Sequence, residues 1–119
     1  MVNLENEQLR IRINPKGAEL SELYHKGYKL HYLWNADPAF WAKYSPVLFP
    51  VVGTLKNNRY RYADKDYHLG RHGFARDMVF ETETGQKDSV TFLLKSNEDT
   101  LNSFANQPRP YFHGNCGEQ

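Results

Sequence analysis

Apolar and polar residues alternate with a period of two along much of this chain. Leu9, Ile11 and Ile13 alternate with Arg10 and Arg12, which predicts a half-buried strand closed by Asn14-Pro15-Lys16-Gly17. A second apolar stretch, Ala18 to His25, alternates imperfectly because Leu20 and Leu23 stand three apart, the signature of a bulge or bend. Lys26-Gly27 is a turn signal, and Tyr28, Leu30, Tyr32 and Trp34 then share one face of a third strand. Short connections between the three segments predict an antiparallel meander.

The next stretch changes character. Asp37 is a capping residue, Pro38 suits a first helical position, and Ala39-Phe40-Trp41-Ala42 has room for one helical turn. Tyr44 to Gly53 is strongly apolar but carries Pro46 and Pro50, so a central strand is excluded. A buried irregular segment or an edge is expected there, one that lines something, because its backbone groups need partners. Arg59 to Tyr62 and Asp66 to Leu69 predict a hairpin around Ala63-Asp64-Lys65, followed by a loop at Gly70-Arg71-His72-Gly73. Met78 to Thr84 and Ser89 to Ser96 predict two more strands, joined at Gly85-Gln86-Lys87-Asp88. Asn97 to Leu101 reads as a short loop or turn, and Ala105 to Gln119 loses all periodicity and reads as coil. A chain ending there leaves an open sheet edge, which offers self-association.

Composition narrows the function classes. The 119 residues match one ordinary domain, able to bury roughly two-thirds of its unfolded surface. Fifteen Lys and Arg against fourteen Asp and Glu give a net charge of +1, against a nucleic-acid or anionic-membrane surface. A single cysteine excludes an intramolecular disulfide framework, a Cys-rich zinc module and a CxxC redox pair. The polar, acidic start MVNLENEQLRIRIN shows no signal peptide, and no run approaches the ~20 apolar residues of a membrane span. A soluble, cytoplasmic protein is expected. Aromatic residues make up 14% of the chain, which suits strands, and most of them are expected to pack between sheets.

Little metal or nucleophile chemistry is visible. His68 and His72 stand four apart but straddle a glycine turn, without helical ligand geometry and without a third ligand at suitable spacing. His25 and His31 are simplest as surface or inter-strand residues, and His113 and Cys116 lack an orienting third group. Gly70 and Gly73 fit neither nucleotide-binding signature, and no cofactor motif occurs. Arg71, His72, Arg76 and Asp77 nevertheless crowd one loop around Phe74, where a β scaffold commonly presents binding groups. Surface charges and a turn histidine account for the same residues equally well.

Ser45-Pro46-Val47-Leu48-Phe49-Pro50-Val51-Val52-Gly53, then Tyr67-His68-Leu69, then His72-Gly73-Phe74-Ala75-Arg76-Asp77 follow one another in a specific order and spacing. Together with Gly17-Ala18-Glu19-Leu20 and Tyr32-Leu33-Trp34, they resemble the aldose 1-epimerase family, in its galactose mutarotase-like branch with an HGFAR motif. The resemblance runs from about residue 8 to about residue 104. It implies an all-β fold: residues 1–104 as the N-terminal portion of an incomplete antiparallel β-sandwich, a galactose mutarotase-like supersandwich, with 105–119 an irregular tail outside the family.

The resemblance further implies an isomerase that binds an aldose sugar or sugar phosphate and interconverts its α and β anomers without a cofactor. A base removes the anomeric hydroxyl proton while an acid protonates the ring oxygen, each positioned transfer contributing typically ~10²–10⁴-fold. His72 corresponds to a sugar-binding histidine and Arg76 to a substrate or phosphate ligand. Thr54 stands where an arginine often follows the apolar segment, leaving Lys56 or Arg59 as replacements. The family's acid histidine and base glutamate match nothing after Phe104, so no catalytic residue is assigned and a truncated, inactive chain is expected. The alternative is a non-catalytic carbohydrate-binding β module using His72, Arg76 and aromatic faces from Tyr28, Tyr32, Trp34 or Trp41.

Overall fold

A computed structural model describes residues 1–84, 88–105 and 110–115. The first sheet has the order β1 (Val2–Glu5), β2 (Leu9–Asn14), β3 (Glu19–His25), β4 (Leu30–His31), all antiparallel. Its inner pair is β2 (Leu9–Asn14) and β3 (Glu19–His25), as the alternation predicts. The expected bulge lies where Ile13 pairs with Leu20 but Arg12 with Glu22, leaving Ser21 as the additional residue. Its Oγ donates to the Arg12 carbonyl at 3.1 Å. That single insertion lets Leu20 and Leu23, three apart, oppose Ile13 and Ile11 on one face. On the other face Arg10 Nε donates to Glu22 Oε1 at 2.5 Å, a hydrogen bond that raises the guanidinium above its ordinary pKa.

Two elements of this sheet depart from the sequence pattern. β1 (Val2–Glu5) is an edge strand in the segment read as a polar start, with Val2 and Leu4 opposite Ile13 and Ile11. β4 covers only Leu30–His31 instead of running from Tyr28 to Trp34. The turn before it consumes Tyr28, whose N–H donates to His25 Nδ1 at 3.2 Å, and Lys29, whose φ is +52°. Residues 37–41 make one turn and no more: Asp37 Oδ1 caps the Ala39 N–H at 2.9 Å, and the Asp37 carbonyl accepts from Phe40 and Trp41.

The Tyr44–Gly53 segment is irregular, as its prolines require, and mostly half-buried. It is moored to β3 by the Tyr44 N–H donating to Glu19 Oε1 and Ser45 Oγ donating to the Leu20 carbonyl, both at 2.9 Å. The hairpin of β5 (Arg59–Tyr62) and β6 (Lys65–His68) turns at Ala63 and Asp64, whose φ of +48° and +59° suit a tight two-residue connection. Tyr60 and Tyr67 stack across it with centroids 5.2 Å apart.

The second sheet has the order β7 (Glu81–Thr84), β8 (Val90–Lys95), β9 (Pro110–Asn115). The turn expected at Gly85 to Asp88 lies largely outside the described residues. Two expectations are corrected here. Glu98–Ser103 is a short helix, α1, where a loop was expected, because Asn97 and Thr100 cap one another through side chains at 2.9 Å. Pro110–Asn115 is a strand, β9, where coil was expected: pairing along the edge of β8 supplies its backbone hydrogen bonds without any help from alternation. His113 lies in β9, and Cys116 falls outside the described residues.

The two sheets share one core. Ile13 from the first meets Val90, Phe92 and Leu94 from the second, with Phe80 and Ala75 between them. The β2–β3 turn is stitched to the entry of β7, with the Gly17 N–H donating to Met78 O at 2.7 Å and the Phe80 N–H to Pro15 O at 3.0 Å. Phe80 and Phe92 lie in this core with Phe49 and Phe74 packed against it, while Tyr28, Tyr32, Trp34, Phe40, Trp41 and Tyr62 are exposed. Among the described residues no helix is long and apolar enough to cross a membrane.

Candidate functional site

His72 and Arg76 lie on one loop, between β6 and β7, and that loop is fixed by backbone contacts to the irregular Tyr44–Gly53 segment. Phe49 bridges Gly73 in the parallel sense, and its carbonyl accepts from the Phe74 N–H at 3.0 Å and the Ala75 N–H at 3.2 Å. His72 donates its N–H to the Gly53 carbonyl at 3.0 Å. The apolar segment therefore does line something, and what it lines is the histidine loop.

His72 is held in an uncommon conformation. Its φ is +66°, followed by +69° at Gly73, two successive left-handed residues. A histidine there costs on the order of 1–2 kcal/mol, which the surrounding hydrogen bonds must offset. Its ring is fixed as well, with Nδ1 bonded to the Val52 carbonyl. A carbonyl can only accept, so Nδ1 carries the proton, and in the neutral ring Nε2 is a bare acceptor.

Arg76 sits in a 3-10 turn at Ala75–Asp77, whose Ala75 is fully buried. Its guanidinium folds back so that Nη2 reaches the Arg71 carbonyl at 3.5 Å, beside His72 in the chain. Asp77 Oδ2 lies 3.5 Å from Nε, close enough for attraction but not aligned for a hydrogen bond, and Nε is buried without one. Gly17 presses on the same turn from the opposite sheet: a Cβ there would stand 2.8 Å from the Arg76 carbonyl oxygen.

The remaining candidates lie apart from this arrangement. Thr54, Lys56 and Arg59 are exposed at the start of the hairpin, where the Leu69 N–H donates to Asn58 O at 2.9 Å. Tyr67 is buried in β6 while His68 beside it is exposed. Among the described residues no group of three His, Cys, Asp or Glu side chains could hold a metal ion. What sequence reasoning missed is backbone: the carbonyls of Phe49, Val52 and Gly53 do the positioning, and carbonyls carry no residue signature. The two prolines of an apolar segment were the one available signal.

Comparison with known proteins places the fold. The family model described as aldose 1-epimerase matches residues 1–108. The chromosomal LacX protein of Lactococcus lactis subsp. lactis is 37% identical over 111 residues, covering 89% of this chain and 37% of the relative, and its plasmid-borne counterpart is 36% identical. The chain thus spans little more than a third of the length of these curated relatives. Among solved structures, a galactose mutarotase related enzyme from Lactobacillus acidophilus superposes with a TM-score of 0.83 at 43% identity, over 87% of this chain and 35% of that one. A galactose mutarotase-like protein from Lactobacillus casei ATCC 334 superposes with a TM-score of 0.84 at 36% identity, over 88% and 36%. The two facing sheets are accordingly an incomplete galactose mutarotase-like β-sandwich, and the chain belongs to the aldose 1-epimerase family.

Proposed function

We propose that this chain supplies the sugar-holding loop of an aldose 1-epimerase, with His72 and Arg76 contacting the oxygens of an aldose. The observation that carries this reading is His72, held at φ +66° with Nδ1 bonded to the Val52 carbonyl, which leaves Nε2 to accept from a sugar hydroxyl. Arg76 donates to a second oxygen, of the ring, a hydroxyl or a phosphate, through the part of its guanidinium left exposed.

The reaction is ring opening and reclosure. A base takes the anomeric hydroxyl proton, an acid protonates the ring oxygen, and the bond between the ring oxygen and the anomeric carbon breaks as the former hydroxyl oxygen becomes the aldehyde carbonyl. Rotation about the adjacent carbon–carbon bond and reversal of the proton transfers yield either anomer. Neither His72 nor Arg76 performs those transfers on this reading; they orient the sugar for groups outside the residues matched here.

Titration of the chain with galactose and with a hexose phosphate, followed by NMR, should show binding that His72→Ala and Arg76→Ala each weaken at least about tenfold, a loss of a charged or buried hydrogen bond. Selective loss of phosphate-dependent affinity in Arg76→Ala assigns the phosphate to that guanidinium. Polarimetry on a fresh anomer should show no acceleration by the chain alone. Equal titration curves for the parent and both variants would remove this reading, and rapid mutarotation would place the proton-transfer groups within the chain.

A further inference from the structure

Gly17-Ala18-Glu19-Leu20 carries part of the family resemblance, yet the proposed sugar contacts use none of its side chains. Gly17 and Ala18 close the turn between β2 and β3, with φ of +73° and +44°, and Glu19 and Leu20 open β3. This turn meets both halves of the candidate site. On one side it is clamped to the turn that bears Arg76. Besides the bonds that join Gly17 to Met78 and Phe80 to Pro15, Lys16 bridges Val79 in the antiparallel sense. Gly17 lies so near the Arg76 backbone that a Cβ would stand 3.2 Å from the Arg76 Cα.

On the other side, Glu19 and Leu20 hold the start of the irregular segment. Glu19 Oε1 accepts from the Tyr44 N–H and the Leu20 carbonyl accepts from Ser45 Oγ, both at 2.9 Å. The same segment ends at the Val52 and Gly53 carbonyls, which fix the ring and the backbone of His72. Pro46 and Pro50 keep it from joining β3 as a strand, so its mooring to the sheet falls to side chains. Glu19 is half-buried, where water competes weakly, and a carboxylate is a stronger acceptor than a neutral oxygen. Glu22, three residues on in the same strand, is the internal contrast. Its carboxylate receives Arg10 Nε and Arg10 lies in β2, so that bond stays within the sheet.

We infer that Glu19 is a positioning residue for the sugar site: its carboxylate, acting through Tyr44–Gly53, sets where the His72 ring stands relative to Arg76. The consequence for affinity rests on the sugar-holding reading given above. The coupling from Glu19 to His72 is a property of the fold and is read without a sugar.

The test is a long-range ¹H–¹⁵N correlation spectrum of the histidine ring nitrogens, followed by a galactose titration of the same samples. In the parent, His72 should show Nδ1 protonated and Nε2 bare. Glu19→Ala should move these signals towards the mixed tautomers of a free imidazole and lower galactose affinity at least about fivefold, the low end of coupling between sites. Glu19→Gln keeps an acceptor oxygen and should restore both readouts. Glu22→Ala should leave both at the parent's values. Ser45→Ala removes the neighbouring bond and should move the His72 signals in the same direction, and it stands in for Glu19→Ala if circular dichroism shows that variant to have lost its sheets. His72 signals unmoved in the folded variants, or moved equally by Glu22→Ala, overturn the proposal. Glu19→Gln behaving as Glu19→Ala overturns it too, since the accepted bond would then not be what matters. A His72 spectrum that responds as stated in a chain without measurable galactose binding sustains the positioning and removes the sugar-holding reading. Galactose binding with unmoved His72 signals does the reverse.

Discussion

Gly73 sits so close to Phe49 that a Cβ on the glycine would fall 2.0 Å from the Phe49 carbonyl oxygen and 2.6 Å from Cδ of Pro50. The contact is backbone against backbone, so no side-chain rotation relieves it. It is also what holds the histidine loop, since the same carbonyl receives the Phe74 and Ala75 N–H groups.

Gly73→Ala should therefore be destabilising by about 2–4 kcal/mol, combining a left-handed backbone with a displaced Phe49. Urea denaturation monitored by circular dichroism measures this. Gly17→Ala is the milder comparison: its φ is also positive, at +73°, but its Cβ would meet the Arg76 carbonyl oxygen at 2.8 Å instead of 2.0 Å, so the backbone it presses on has less far to move. It should cost about half as much. Equal midpoints for Gly73→Ala and the parent would show that the loop is not fixed through Phe49.

His72 separates conformational strain from ligand contact. Its left-handed φ favours glycine, while its ring bonds to the Val52 carbonyl. His72→Gly relieves the first and removes the second, so stability should stay within about 1 kcal/mol of the parent. His72→Ala keeps the strain and loses the bond, and should be the less stable of the two by about 1 kcal/mol. Both should lose sugar binding alike in an NMR titration. If His72→Ala proves as stable as His72→Gly, the backbone at this position is not strained.

The sequence pattern foretold those parts of the fold that rest on side-chain alternation. Leu9, Ile11 and Ile13 made β2 legible, and the spacing of Leu20 and Leu23 pointed to a bulge or bend, which the structure sets at Ser21. β9 was invisible for the converse reason: its strand character comes from pairing with β8, not from its own residue pattern. β4 was overread because Tyr28 fits the alternation but is taken up by a turn, and the chain bends at Leu33 before Trp34. At the candidate site, His72 and Arg76 were legible through their motif, and the structure sets them on one loop. The carbonyls that fix them were not, because a backbone group looks the same in every residue.

Asn97 tests the helix that the sequence hid. Its side chain accepts from the Thr100 N–H at 2.9 Å while Thr100 Oγ1 accepts from the Asn97 N–H at 2.9 Å. Thr100 is buried, so the reciprocal cap is shielded from competing water. Asn97→Ala should cost about 1 kcal/mol, and Asn97→Asp should retain most of the cap. Thermal denaturation of the two variants checks the order, and an Asn97→Ala midpoint equal to the parent's would mean that α1 is held by packing alone.

Tyr60 ties the hairpin to the far end of that helix. Its hydroxyl donates to the Ser103 carbonyl at 3.2 Å and accepts from the Ala105 N–H at 3.1 Å, bridging β5 to residues more than forty positions later. Phe104, between those two, packs edge-on against Phe49 with centroids 5.8 Å apart, so the same latch braces the carbonyl that carries the histidine loop. Tyr60→Phe preserves the stack on Tyr67 and deletes only the hydroxyl. It should lower stability by about 1–3 kcal/mol, because a part-buried donor and acceptor lose their partner together. The more specific readout is amide exchange: Ala105 should exchange faster in Tyr60→Phe, while amides of β2 change only as far as global stability falls. An Ala105 amide equally protected in both proteins would show that the end of α1 is held without Tyr60.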